Sequence, residues 1–300
     1  VVLFRRLAVL TAGFAYLQIA LGGVVRVSGS GLGCPDWPLC HGRPYPPADV
    51  HAIIEYSHRA VGSATGVLII ATVILAWVVW RTRRPIVAWL ATASLIGVVG
   101  EGLLGAGVVA NELASWLVLI HLGLAMVILG FLVATAVMSL PPSSGIRDQG
   151  LRRLAAMSAG ATFLMLLTGS TVVASGADAS CRSWPLCGSG LALDFGGVSA
   201  WTMLHRGSVL VIGALLVFVL ARAIRLPELR TLSVATLAVL ALQVAVGAGA
   251  AVTDGALFNG LHVGLATLLW AGVLTTALLT VARADRDARR SPVAMEKRPA

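Results

Sequence analysis

Charge is scarce in this chain. Asp, Glu, Lys and Arg make up 12% of its 300 residues, against about 25% in an ordinary soluble domain. A water-facing surface with so little charge aggregates. The shortage therefore excludes a soluble globular domain and leaves lipid as the solvent, in keeping with a 58% hydrophobic composition and a mean hydropathy of +0.90. Cysteine is scarce too, with four residues. No two of them have the two-to-four-residue spacing usual in a zinc site. The first apolar run has no clear small-residue cleavage site and carries the polar Gln18, so it reads as a retained helix and not a leader.

What is abundant is apolar sequence in long runs. Eight stretches, roughly 7–27, 53–80, 86–109, 116–138, 153–174, 200–221, 231–252 and 259–282, are each about as long as a bilayer crossing requires. Gly and Pro within them do not argue against helices, because membrane helices tolerate both. The expected fold is an all-α integral membrane protein with eight transmembrane helices.

The net charge of +9 raises the question of nucleic acid, and position answers it. Arg5 and Arg6 precede the first run. Arg81, Arg83 and Arg84 follow the second, Arg147, Arg152 and Arg153 lie between the fourth and fifth, and Arg222, Arg225 and Arg230 lie between the sixth and seventh. Arg283, Arg286, Arg289, Arg290, Lys297 and Arg298 follow the eighth. Basic residues thus alternate with the helices as the positive-inside rule requires, which places both termini in the cytoplasm and excludes nucleic acid as a partner. The opposite loops then face an oxidising compartment and contain Cys34, Cys40, Cys181 and Cys187. Two local bridges, Cys34–Cys40 and Cys181–Cys187, are the economical pairing there.

Those loops reveal a duplication. "CPDWPLC" at 34–40 and "CRSWPLC" at 181–187 share Cys-x-x-Trp-Pro-Leu-Cys. A shift of 147 residues also carries Val25 onto Val172, Ser28 onto Ser175, Gly29 onto Gly176, His58-Arg59 onto His205-Arg206 and Gly66 onto Gly213. Near the end a shift of 141 carries "HLGLA" from His121 onto "HVGLA" from His262. The chain therefore reads as two tandem pseudo-symmetric four-helix bundles. The expected boundaries are 1–140 for the first half, 141–152 for a cytoplasmic linker, 153–283 for the second half and 284–300 for a basic tail. With an even number of helices per unit, both copies point the same way, related by a pseudo-two-fold axis along the membrane normal.

Of six histidines, His41 and His51 lie in the first outer loop without repeat partners and read as solvent-facing. His58, His121, His205 and His262 are the four preserved in both copies. They stand about three to five residues into helices that start on the outer side. Ionisable groups in membrane helices are costly and usually functional. Two imidazoles per half at one depth suit the two axial positions of a haem iron, with Gly62, Gly66, Gly123, Gly213 and Gly264 letting a flat ring approach the helices. Zinc would need all four at one point. Arg59 and Arg206, each beside a histidine, are candidates for haem propionates or for headgroups.

The halves also differ. Glu55 precedes His58 by one turn on the same face, where the second half has Thr202. A carboxyl there can move protons or orient a small oxygen species. Glu101 in the third run has Gln243 as its counterpart; it reads as part of a proton path or as a bridge between helices.

With these features assembled, the chain resembles the heme A synthase family over about residues 7–280. The resemblance is carried by "EYSHR", "HLGLA", "LHRG", "LHVGLA", the two cysteine loops and the eight duplicated helices. It implies a haem-dependent oxidoreductase of a bacterial plasma membrane that oxidises the C8 methyl of haem o to a formyl group by successive hydroxylations. On this resemblance His205 and His262 hold haem b, His58 and His121 receive haem o, Glu55 is the family's glutamate, and Cys34–Cys40 serves redox function or stability. An electron donor or acceptor and the supplier of haem o, a haem o synthase, would be partners. The chain departs from the family at Glu101, where glutamine is expected. A di-haem b electron-transfer protein and a transporter are the competing classes. The first expects haems near both faces, and the second expects polar residues near the midplane.

Overall fold

The computed structural model describes residues 1–141, 148–187, 196–253 and 255–289, with side chains described as far as 281. The helices are α1 (Val2–Val27), α2 (Val50–Trp80), α3 (Pro85–Ala110), α4 (Ser115–Met138), α5 (Gln149–Ala174), the single turn α6 (Ala177–Ser180), α7 (Ser199–Ile224), α8 (Pro227–Thr253) and α9 (Ala256–Arg289). All but α6 contain a stretch long and apolar enough to cross a membrane, and the eight match the eight expected runs to within a few residues at each end. Two of the helices start before their apolar runs on polar caps. The Asp49 side chain accepts the Ala52 N–H at 3.0 Å and starts α2, and Asp148 accepts the Leu151 N–H at 2.9 Å and starts α5. Most of the linker, 142–147, and the tail from 290 onward lie outside the described residues, as does 188–195 in the second outer loop.

Within the first half α1 packs on α2, α2 on α3, α3 on α4 and α4 back on α1. In the second, α5, α7, α8 and α9 close the same ring. The halves meet through α1 on α9, α4 on α9 and α4 on α5. Exchanging α1 with α5 and α4 with α9 maps this set of contacts onto itself, as a two-fold relation demands. Glycines make the correspondence specific. A methyl added at Gly123 would touch Leu167 at 3.5 Å, and one added at Gly264 would touch Ala20 at 3.9 Å. Leu167 and Ala20 are themselves related by the 147-residue shift. Gly123 and Gly264 therefore serve the seam between halves and not a ring-binding face, because small residues let helix backbones approach where lipid supplies no hydrophobic drive.

The packed interior is divided in the same way. Leu151, Leu216, Leu220, Leu229 and Leu269 are buried within the second half, and Ile69, Leu129 and Leu132 within the first. Trp270 of α9 leans on Phe163 of α5 within the second half, with ring centroids 6.1 Å apart. Large apolar side chains such as Val78, Ile96 and Leu210 face outward, the arrangement expected when the surrounding solvent is hydrocarbon. At the end opposite the cysteine loops, Arg5 and Arg84 donate to the carbonyls of Ser139 and Met138 at 2.7 Å. These two positive charges thus satisfy the otherwise unpaired carbonyl end of α4.

Candidate functional site

Both cysteine pairs are bridged, Cys34 to Cys40 and Cys181 to Cys187. The first loop is fastened to α2. Gly33 lies so close to the helix start that a side chain there would overlap the His51 backbone. Glu55, buried at 4% exposure, accepts the Cys34 N–H on one oxygen at 2.9 Å and the Arg59 guanidinium on the other. Arg59 also donates to the carbonyls of Cys34, Asp36 and Leu39 at 2.6–2.8 Å. Both oxygens of Glu55 and the fork of Arg59 are thus turned to the loop. The Asp36 carboxylate accepts the N–H groups of His41 and Gly42 at 2.6 and 2.7 Å, and the Gly42 bond above all holds its pKa below the ordinary value. His41 in the loop and His51 in the first turn of α2 meet loop groups, with His41 Nε2 3.0 Å from the Gly33 carbonyl and His51 Nδ1 3.0 Å from Ser30 Oγ. Both residues are solvent-exposed, as expected, and each ring also meets a polar group of the loop.

In the second half the described residues show a different fastening. Arg206 donates to the Pro185 carbonyl at 3.1 Å, and Thr202, at the place of Glu55, meets the Ala177 carbonyl at 3.3 Å. Trp37 and Trp184, repeat partners next to prolines, are both about half exposed, which suits anchorage at an interface more than packing onto a pocket.

Below the loops stand the four histidines, six to eight residues into α2, α4, α7 and α9. That is roughly 9–12 Å along each helix at 1.5 Å per residue. They sit deeper than the sequence suggests, because the helices start before the apolar runs do. His58 and His121 stand on α2 and α4 of the first half, and His205 and His262 on α7 and α9 of the second, so each half contributes two rings. Among the described residues no three metal-ligating side chains converge, which leaves pairs and not a tetrahedral site.

Each ring rests against a glycine of the preceding helix. A methyl added at Gly22, Gly105, Gly169 or Gly247 would come within 3.2, 3.3, 2.9 or 2.8 Å of Cε1 of His58, His121, His205 or His262. These four glycines, absent from the sequence-based list, are repeat partners, Gly22 with Gly169 and Gly105 with Gly247. The duplication was the signal that could have found them. Polar neighbours complete each seat. Gln18 Nε2 lies 3.2 Å from His58 Nε2, Gln243 Nε2 lies 3.3 Å from His262 Nε2, and Thr168 Oγ1 lies 3.1 Å from His205 Nδ1. Glu101 Oε1 lies 3.0 Å from His121 Nδ1. Of the glycines read as ring-facing, Gly66 and Gly213 have open space where a side chain would project, and Gly62 packs on Gln18.

The donor set fits a haem. Nδ1 of His58, His121 and His262 are buried without a hydrogen-bond partner. A buried polar atom without a partner is costly, and ligand-engaged imidazoles relieve that cost.

Fold and site together define a multi-pass membrane protein with paired imidazoles in each of two duplicated halves. The family model described as "Cytochrome oxidase assembly protein" matches residues 5–53 and 48–274. A protein named Heme A synthase from Symbiobacterium thermophilum is 32% identical over 90% of this chain and 93% of its own length. One of the same name from Exiguobacterium sibiricum is 31% identical over 67% of this chain and 70% of its own, and one from Shouchella clausii is 28% identical over 71% and 73%. The chain belongs to this heme A synthase family of cytochrome oxidase assembly proteins.

Proposed function

We propose that the chain is a heme A synthase, an oxidoreductase that converts the C8 methyl of haem o to a formyl group. Two hydroxylations of the methyl carbon and loss of water from the resulting diol make a four-electron oxidation; with water as the source of each oxygen atom, four electrons and four protons leave to an acceptor outside the chain. The observation that carries this reading is the pair of glycine-backed imidazoles repeated in each half of a chain that belongs to the family. His205 and His262 hold haem b, which supplies a redox centre when bound. His58 and His121 receive the substrate haem. The bridged loops cover the two pockets on the extracytoplasmic side, with both termini in the cytoplasm.

The protein's own groups orient and enclose. The seats on α1, α3, α5 and α8 fix the height and rotation of each ring. Glu55 and Arg59 act as positioning residues that hold the Cys34–Cys40 loop over the first pocket, and Arg206 steadies the second. The Glu55–Arg59 clamp of the first half, where the second has Thr202, supports a division in which one half handles substrate and the other keeps a resident cofactor. All four rings stand on helices that begin at the cysteine-loop side, which disfavours a wire carrying electrons across the membrane.

Absorption spectra and product analysis of histidine variants test the division. His205→Ala and His262→Ala lose the tightly bound haem. His58→Ala, His121→Ala and Glu55→Ala keep it and stop forming haem a. Equal haem loss from both sets overturns the division of labour, and a colourless protein after haem-replete expression overturns the function.

A further inference from the structure

The glycine seats repeat more than glycine. Gln18 precedes Gly22 by four residues in "QIALG", Glu101 precedes Gly105 in "EGLLG", and Gln243 precedes Gly247 in "QVAVG". Four residues is one turn on the same face. Each of these polar side chains meets the very ring that its glycine supports. The fourth seat, "MLLTG", has Met165 in that place, and the hydroxyl of Thr168 engages His205 instead.

Only the seat of His121 contains a carboxyl, and it stands at Nδ1. Its repeat partner Gln243 stands at Nε2 of His262 and presents an amide nitrogen. Glu101 Oε1 is 3.0 Å from His121 Nδ1 but lies off the axis of a ring N–H, so Nδ1 is buried with no formed hydrogen bond, and Glu101 Oε2 is likewise buried without one. Two facing polar groups, each short of a partner, need only a turn about the last glutamate torsion, which is broad. A carboxyl oxygen accepts an N–H whether or not it is ionised.

We propose that Glu101 is a positioning residue for the substrate-haem site: it takes the Nδ1–H of His121, fixes the tautomer, and leaves Nε2 bare for the iron. Such a partner fixes the orientation of a ligating imidazole and raises its basicity. The amide at His262 accepts nothing from Nδ1, so the two halves offer iron chemically different imidazoles from matching positions. The inference rests on the reading of His58 and His121 as substrate-haem ligands.

The test uses the full-length purified protein and haemin as the probe, followed by absorption. The haem of the second half reports in the same sample that the protein is folded. Glu101→Leu should weaken haemin binding at the first half by roughly tenfold to a hundredfold. Glu101→Gln, which keeps the shape and a carbonyl acceptor, should weaken it less. In a His121→Ala background Glu101→Leu should add nothing, because the glutamate acts through that ring. Unchanged affinity and ferric spectrum in both single variants overturns the inference, as does an undiminished effect without His121. A wild-type protein that takes up no haemin overturns the functional reading and this inference with it.

Discussion

Replacing Gly169 with alanine tests the seat mechanism directly. The new methyl would stand 2.9 Å from His205 Cε1. Ordinary contact begins near 3.4 Å, so the ring or the helix must withdraw by about 0.5 Å, and overpacking of this kind typically costs about 1–3 kcal/mol. Metal–ligand bonds tolerate only about 0.2 Å of misplacement. The strain therefore falls on ligation, and haem affinity in the second half should drop by roughly tenfold to a hundredfold, the range for a lost supporting contact. Gly160 lies on the same helix with open space where its methyl would go, so Gly160→Ala controls for helix propensity and should leave haem content intact. The assay is haem per protein by alkaline pyridine spectra, with the Soret position as a second reading. Gly247→Ala, at 2.8 Å, should resemble Gly169→Ala, and Gly22→Ala and Gly105→Ala, at 3.2 and 3.3 Å, should perturb the first-half rings less. Full haem content and an unmoved Soret band in Gly169→Ala would refute the reasoning.

Two further outcomes follow from charge. Asp148 caps α5 and meets Arg222 at 2.6 Å across an exposed surface. Arg222→Ala should cost less than about 1 kcal/mol and Asp148→Ala about 1 kcal/mol more through the lost cap, as read from thermal unfolding in detergent. In the first outer loop the pKa of Asp36 is lowered in the folded state, so its contribution is present above the ordinary value of 3.8 and is lost as pH falls through the lowered one. Hydrogen exchange at His41 and Gly42 should be slow at neutral pH and quicken below about pH 4 relative to the intrinsic rate. Asp36→Asn should quicken it at neutral pH and remove the pH dependence, and a wild-type protection pattern without pH dependence would count against the bond.

The helices, their order and the duplication were legible in the sequence because each rests on a local or periodic property. Apolar length sets a bilayer crossing, and the recurrence of "WPLC" and of His with its neighbours survives any folding. The recurrence of His58 and His121 as His205 and His262 was legible for the same reason. What no local pattern contained was the direction in which small and charged side chains point. Gly123 and Gly264 follow histidines yet face the seam, whereas Gly22, Gly105, Gly169 and Gly247 lie far from the histidines in sequence and yet support them.

The fate of Glu55 and Arg59 shows the same limit. In sequence they stand beside a buried imidazole and read as chemistry on a haem. In the folded chain the Cys34–Cys40 loop turns back over α2 and its N–H and carbonyl groups engage both side chains. A buried backbone group must find a partner, and an outer loop brought down on a helix end takes the nearest charged ones. Composition and periodicity alone determined that this protein crosses a membrane eight times as a doubled unit with four histidines in matched places. Which atoms those histidines touch, and which carboxyl holds a loop and which a ring, was decided only when helices distant in sequence packed together.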